Sequence, residues 1–424
     1  MKADNIDILV VTYYVNEDGI ACSHHIDDRL AEFGKLGVSF ALLSTIAVPL
    51  SRRFIHYRVP SLFPSAIRFE LRHFFRKKWL KNRWWKILYN IFLVPLLPFY
   101  AIERLCFKID PTWYWTILSV PAGISICRRH KIKCLYSTGG PAVAHLTACR
   151  ISSQLGIRWI AEFQDPLIHG YDEKENSDVR LTRKMEREIC GKADRIIFLT
   201  EGARDATERR AHVAGKGAVI YPGTPPPPIL GQYKKGIKIN FCHFGSLGGA
   251  RNLEVFLASL RYAVEEEPQL LDVVRVSLYG NVENDDVERI RQFPFNNIIN
   301  HKGTIPRNEA LRAMQESDIL LLIQGTHRIS AETIPSKLYE YLHAGRPILG
   351  LVHDNPELRK ILYSQNHFYA DAGDPQDIKR QIIQIWKKWE RDEGEDFKER
   401  PVSPFTSENA ARRILSYMQV NKTA

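Results

Sequence analysis

The stretch YPGTPPPPILGQYKKG, residues 221–236, decides the fold. Its four consecutive prolines, 225–228, cannot sit inside a helix or a central strand, so they form a semi-rigid extended connector. On its N-terminal side, short buried-type runs at 6–13, 38–44, 134–137, 159–163 and 195–199 read as strands, and helical stretches fall at 27–35, 142–155 and 181–190. On its C-terminal side the plan repeats, with strands at 239–244, 274–279, 298–302, 318–323 and 347–352 and helices at 254–266, 308–316, 335–344 and 377–390. Short β-branched runs alternating with helices predict a parallel sheet covered on both faces. The expectation is two doubly wound Rossmann-like α/β domains facing a cleft at the carboxyl ends of their sheets.

Composition is that of an ordinary globular protein. The chain has 424 residues, 45% hydrophobic and 25% charged, enough for two cores. The seven cysteines (22, 106, 127, 134, 149, 190, 242) form no CxxC pair, which suggests neither a disulfide framework nor a zinc site and fits a reducing cytoplasm. The N-terminal apolar run is short and preceded by acidic residues, so it reads as a first strand and not as a signal peptide. The longest apolar stretch, 87–102, is interrupted by Asn90, Pro95 and Pro98 and predicts no transmembrane helix.

Charge is concentrated. The net charge is +11, and +10 of it lies between Arg52 and Lys86, where eleven Lys/Arg stand against Glu70 alone. The segment from about 51 to 115 is too long for a plain loop. Apolar residues recur with helical spacing at 67, 71, 74, 75 and at 80, 84, 87, 88, 91, with Trp79, Trp84 and Trp85 among the cations. A basic aromatic helical insertion of this kind fits an anionic membrane surface contacted through about 52–91. A helical pair with a solvated basic face and a nucleic-acid surface are the other readings; the expectation retained is membrane, without nucleic acid.

Two motifs carry chemistry. In SAETIPSKLYEYLHAG, 330–345, Pro335 suits a first helical turn and Gly345 the position past the helix end. Lys337 in the first turn opposes the helix dipole unless an anion binds there. Glu340 lies three residues on, on the same side, and Glu332 precedes the helix. A surface ion pair between Lys337 and Glu340, worth little, explains the spacing equally. In FGSLGGARN, 244–252, glycines follow a strand and Arg251 stands at a helix start, which suits a phosphate; a tight strand-to-helix turn is the alternative.

These residues resemble the retaining family 4 glycosyltransferases of GT-B fold, in particular bacterial members of surface-polysaccharide assembly. Glu332 to Glu340 has that family's Glu-x7-Glu spacing, and IPSKLYEYLHAGRPIL resembles its donor-binding helix. STGGPAVAHLTACRISSQLGIRWIAEFQDPL, EREICGKADRIIFLTEGA, VIYPGTPP, FCHFGSLGGARN and HKGTIPRNEALRAMQESDILLLI follow in the family's order, so the resemblance covers roughly 110–390. It implies that Glu332 contacts the donor sugar or helps its departure, that Glu340 binds the ribose hydroxyls, and that Arg251 takes the diphosphate. Ser246 stands where the family has a second cation, and Lys337 is the expected replacement. His145 matches a histidine facing the donor sugar. Asp165 matches the last residue of a strand-end motif that here reads Glu162-Phe-Gln-Asp165. Gly19, in the loop after the first strand, would let the backbone approach a ligand. The implied nucleotide-sugar contacts are Gly19, Gly245, Ser246, Gly248, Gly249, Arg251, Thr304, Ile334, Pro335, Ser336, Lys337 and Glu340, with Glu332, His145 and Asp165 as catalytic candidates.

The expected activity is transfer of a hexosyl or N-acetylhexosaminyl group, with retention, from a UDP- or GDP-sugar to a membrane-associated, lipid-linked glycan in polysaccharide biosynthesis. No Asp-x-Asp motif is present, so fixed cations and helix dipoles, with no metal and no cofactor, are expected to stabilise the departing diphosphate. GxSxG and P-loop motifs are absent, which speaks against a serine hydrolase and a P-loop nucleotidase. The alternative is a catalytically impaired pseudo-glycosyltransferase acting as a membrane-bound scaffold. The expected organisation is an acceptor-side domain over 1–221 carrying the membrane-associating insertion, a connector over 222–236, a donor-binding domain over 237–395, and a tail over 396–424 returning to the first domain. The expected location is cytoplasmic, peripheral on the inner face of the cell membrane.

Overall fold

The computed structural model describes residues 6–15, 21–46, 48–51, 53–65, 67–68, 70–72, 84–106, 111–168, 177–213, 215–228, 231–391 and 403–418. The chain forms two compact units, one made of Met1–Pro222 together with Ser407–Ala424, the other of Gly223–Thr406. Each holds one parallel sheet, and the fold is GT-B: two doubly wound Rossmann-like α/β domains.

The first sheet has seven strands: β1 (Ile8–Val11), β2 (Phe40–Thr45), β3 (Ile55–Val59), β4 (Cys134–Thr138), β5 (Arg158–Phe163), β6 (Arg195–Phe198) and β7 (Gly217–Val219). Their order is β3-β2-β1-β4-β5-β6-β7, with Ile8 of β1 in register with Phe40 on one side and Cys134 on the other. β1, β2 and β4 are buried throughout, because helices cover both faces and every side chain finds a core. Leu9, Val11, Leu43 and Leu135 point into one core with Trp115 and Ile151. Ile8, Val10, Leu42 and Tyr136 point into the other with Ile26 and Phe33. The second core is completed by the C-terminal helix Ser407–Met418 through Ala410, Ala411, Ile414 and Met418.

The second sheet has six strands: β8 (Ile239–Phe244), β9 (Val274–Tyr279), β10 (Ile299–Gly303), β11 (Ile319–Ile323), β12 (Ile348–Val352) and β13 (Phe368–Asp371). The order β10-β9-β8-β11-β12-β13 reverses direction of growth between β8 and β11, the topological switch point at which such sheets bind ligands. The chain passes between units at 222/223 and 406/407, and these passages run side by side, with Thr224 N donating to Phe405 O at 3.2 Å.

Three sequence expectations shift. β3 and β7 are not anticipated by the strand pattern; β3 is a half-exposed edge strand of mixed polarity, IHYRV, inside the segment read as an insertion. The expected helix at 335–344 starts at Lys337 instead, because Pro335 O and Ser336 O accept from Leu338 N and Tyr339 N in tight i→i+3 turns. The expected helix at 377–390 begins earlier, at Pro375, where Asp374 caps it by accepting from Gln376 N and Asp377 N.

Candidate functional site

The carboxyl ends of β8, β9 and β10 are bound together past the last strand residues. Gly245 N donates to Tyr279 O at 2.8 Å, Leu247 N to Asn281 O at 2.8 Å, and Gly280 N to Gly303 O at 2.8 Å. This lacing needs glycine at 280: with φ of +131°, a Cβ there would lie 2.2 Å from Gly245 O. The glycine-rich loop after β8 then closes on itself, since Gly248 N donates to Arg251 O at 2.8 Å and Arg251 N to Gly248 O at 3.1 Å. Gly249, at φ of +57°, takes the left-handed corner of that hairpin.

The hairpin sets the Arg251 guanidinium at the rim. It makes no hydrogen bond or ion pair with a described residue. Solvent reaches it, yet burial by surrounding atoms lowers its pKa from the ordinary value, with Tyr341 pulling the other way.

The loop 325–336 packs beside this hairpin, Thr326 N reaching Ala250 O at 3.4 Å. Two buried amides pin it. Gln324 Nε2 donates to Ser330 O at 2.7 Å and Thr333 O at 3.0 Å, and Asn355 Nδ2 donates to the same two carbonyls at 2.7 and 2.9 Å. Gln324 Oε1 accepts from His353 N at 2.9 Å. Glu332 is therefore presented by a rigid loop, while Ile334, Pro335 and Ser336 lead into the helix Lys337–Ala344 and remain half-buried.

Glu340 is shared by two cations. Lys337 Nζ lies 2.6 Å from Oε2 and Arg307 Nη2 lies 3.3 Å from Oε1. Burial pushes the Glu340 carboxyl up, but Lys337 and Arg307 outweigh it and hold it below the usual carboxylate range. The helix is tied back to the sheet by Tyr341, whose hydroxyl accepts from Phe244 N at 2.8 Å. Beneath both loops sits His243, 4% exposed. Its Nδ1 donates to Leu321 O at 3.0 Å, so Nε2 carries the lone pair, and that atom is buried without a partner among the described residues. Burial above all lowers its pKa to about 4, with Arg251 and Lys337 adding to the effect.

The structure thus gathers Gly245, Ser246, Gly248, Gly249, Arg251, Glu332, Ile334, Pro335, Ser336, Lys337 and Glu340 at the switch point of the second sheet. Thr304, exposed, follows β10 and precedes Arg307, which joins the group through Glu340. Lys337, the expected replacement for the second cation, pairs with Glu340, the contact that the helical spacing also allowed. Arg307, His243, Gln324, Asn355 and Tyr341 are not anticipated. Only Arg307 carries a sequence signal, a cation at a helix start like Lys337.

His145 and Asp165 belong to the first unit. His145 is fully buried, its Nδ1 2.8 Å from Ser137 Oγ and its ring 4.9 Å from Phe163. Burial lowers its pKa to about 4, against the pull of Glu162 and the Gly139 carbonyl. Asp165 is exposed beyond the end of β5. The first residue of the same motif, Glu162, is buried: Arg29 Nη2 lies 3.1 Å from its Oε1, and the Tyr136 and Thr138 hydroxyls both donate to Oε2. Gly19 lies outside the described residues. Among the described residues no group of three or more His, Cys, Asp or Glu is arranged to hold a metal ion.

No family model matches the chain, and no curated protein matches it in sequence. Solved structures match it over nearly its whole length. Anabaena HepE in complex with UDP superposes with a TM-score of 0.64 at 12% identity, covering 97% of this chain and 99% of that one. The lipopolysaccharide outer core galactosyltransferase WaaB gives 0.58 at 10% identity, covering 98% and 97%. The UDP-GlcNAc 2-epimerase of Methanocaldococcus jannaschii gives 0.51 at 11% identity, covering 97% and 100%. At these identities the matches speak for the fold alone, a fold that serves both sugar transfer and sugar epimerisation.

Proposed function

We propose that the chain is a glycosyltransferase whose second unit binds a UDP-sugar. The observation that carries this reading is the Arg251 guanidinium, without a hydrogen bond or ion pair among the described residues and held by a closed glycine hairpin at the switch point of a doubly wound sheet. In this reading the Arg251 guanidinium takes the diphosphate, Glu340 the ribose hydroxyls and Glu332 the sugar. HepE, bound to UDP, shares the fold. The first unit would serve the acceptor, a lipid-linked glycan at the inner face of the membrane, with the basic segment 52–91 turned to anionic lipid. Retention, a hexosyl or N-acetylhexosaminyl donor, and charge stabilisation without a metal complete the proposal. Departure of the nucleoside diphosphate breaks the anomeric C–O bond, and the negative charge left on the β-phosphate oxygen is the charge Arg251 would meet.

Titration calorimetry of the full chain with UDP, GDP and ADP, with and without EDTA, tests it. Selective UDP binding that EDTA leaves unchanged and Arg251→Ala weakens supports the donor site; equal binding by parent and variant overturns it. A second reading, a scaffold that binds donor without turnover, draws on Ser246 at the place of a second cation and on Lys337 being engaged by Glu340. Release of UDP on adding a lipid-linked acceptor removes that reading, and appearance of a 2-epimer without acceptor removes transfer.

A further inference from the structure

The helices Trp84–Leu93 and Leu97–Cys106 turn a run of large apolar side chains outward. Glu103 is 6% exposed, its carboxylate accepting from Ser65 N at 2.9 Å and from the Ser65 hydroxyl. Arg68 lies 5.1 Å over the Tyr100 ring, with Tyr89 also hydrogen-bonded to it. Glu103, Tyr89 and Tyr100 therefore make their contacts inward, beside the buried Leu93, while Asn90 is exposed. Ile91, Phe92, Val94, Phe99, Ile102 and Leu105, all within residues 91–105, face outward and are between 56% and 82% exposed. A helix lying on a water-facing surface turns the opposite way, and apolar exposure on this scale marks an interaction site.

We propose that this helix pair is a membrane anchor that enters one leaflet of an anionic bilayer. The occupant is argued from charge: the segment from Arg52 to Lys86, at +10, runs directly into the apolar pair, so attraction to anionic headgroups and insertion of apolar side chains act on adjoining residues. Geometry sets the depth. Each helix has 10 residues, about 15 Å, half the roughly 30 Å hydrocarbon core, and the Val94–Leu96 turn with Pro95 and Pro98 separates them. The element enters the bilayer and does not cross it. The inference rests on the membrane-surface reading above and makes apolar insertion, with charge as the steering force, the anchor. Such an anchor holds at high salt, where the Debye length shrinks to about 3 Å at 1 M and charge alone lets go.

The test is co-sedimentation of the full chain with phosphatidylcholine vesicles, with and without phosphatidylglycerol, at low salt and at about 1 M salt. The triple variant Phe99→Asp, Ile102→Asp, Leu105→Asp is compared with the parent, folding is checked by circular dichroism melting, and UDP affinity is measured separately. The expected result is parent binding that survives salt and falls at least tenfold in the variant, with melting and UDP affinity unchanged. Parent binding abolished by salt and equal in the variant would overturn the anchor in favour of charge alone. No parent binding to any vesicle, with a dimer in light scattering that the variant loses, would overturn it in favour of a second copy. Loss of UDP binding in both proteins would sink the donor site and leave the anchor standing.

Discussion

The two units share one strand order, three strands to one side of a central strand and the rest to the other, yet they treat acidic residues near the carboxyl ends of their sheets in opposite ways. In the first, Glu162 is enclosed with Arg29, Tyr136 and Thr138, all three of which bond to its carboxylate inside the core. Burial pushes the Glu162 carboxyl up, but Arg29 and the two hydroxyls bring it below the ordinary carboxylate range. In the second, Glu340 is clasped by Lys337 and Arg307, whose side chains are 38% and 45% exposed, and Arg251 nearby has no anionic partner among the described residues. One carboxylate holds a fold together. The other is held in readiness for something that can displace or extend its partners.

The largest expected effect tests that contrast directly. Glu162→Gln leaves Arg29 buried against a neutral amide, at a cost of about 3–5 kcal/mol, read by chemical denaturation; Glu340→Gln costs under about 1 kcal/mol because its cations return to water. Equal losses would erase the distinction between the units. Acid is expected to act on both units through their fully buried histidines, His145 in the first and His243 in the second, each lowered to about 4, with the half-buried His56 of the first unit lowered likewise. The unfolded chain takes up those protons near pH 6.5 and the folded chain near 4. Stability is therefore full above about pH 6.5 and falls as pH drops to about 4, on the order of 3 kcal/mol per fully buried histidine. Denaturation curves from pH 7 to 4, with His145→Gln and His243→Gln each flattening part of the slope, check it. Arg251→Ala is expected to weaken UDP tenfold to a hundredfold, from the ~1.5–3 kcal/mol of a charged hydrogen bond, with denaturation unchanged. Smallest is Glu340→Gln on affinity: a few-fold loss for UDP and none for 2′-deoxyuridine diphosphate, which sharpens the ribose assignment if seen and removes it if both fall equally.

Much of the fold was legible because its central strands are buried on both faces. Continuous apolar runs such as ILLLI at 319–323 leave few other readings, and the prolines at 225–228 separate the two sheets. The edges were not legible: β3 carries His56, Tyr57 and Arg58, and β7 is three residues long. In the candidate site, the pairing of Lys337 with Glu340 could be read from helical spacing. That of Arg307 with Glu340 spans 33 residues and leaves no periodic trace. Gln324 and Asn355 look like any polar residues until their amides are seen on Ser330 O and Thr333 O. Apolar periodicity at 80–91 anticipated the helix Trp84–Leu93 and not Leu97–Cys106, the stretch 73–83 lying outside the described residues, and it could not tell which face was outward, because contacts such as that of Glu103 with Ser65 settle the polarity.

The helix Ser407–Met418 lends a timetable to the molecule. Because Ala410, Ala411, Ile414 and Met418 close the second core of the first unit, that core lacks a wall until synthesis has passed residue 418. The unit that is begun first is finished last, while Gly223–Thr406, continuous in sequence, has every strand it needs beforehand.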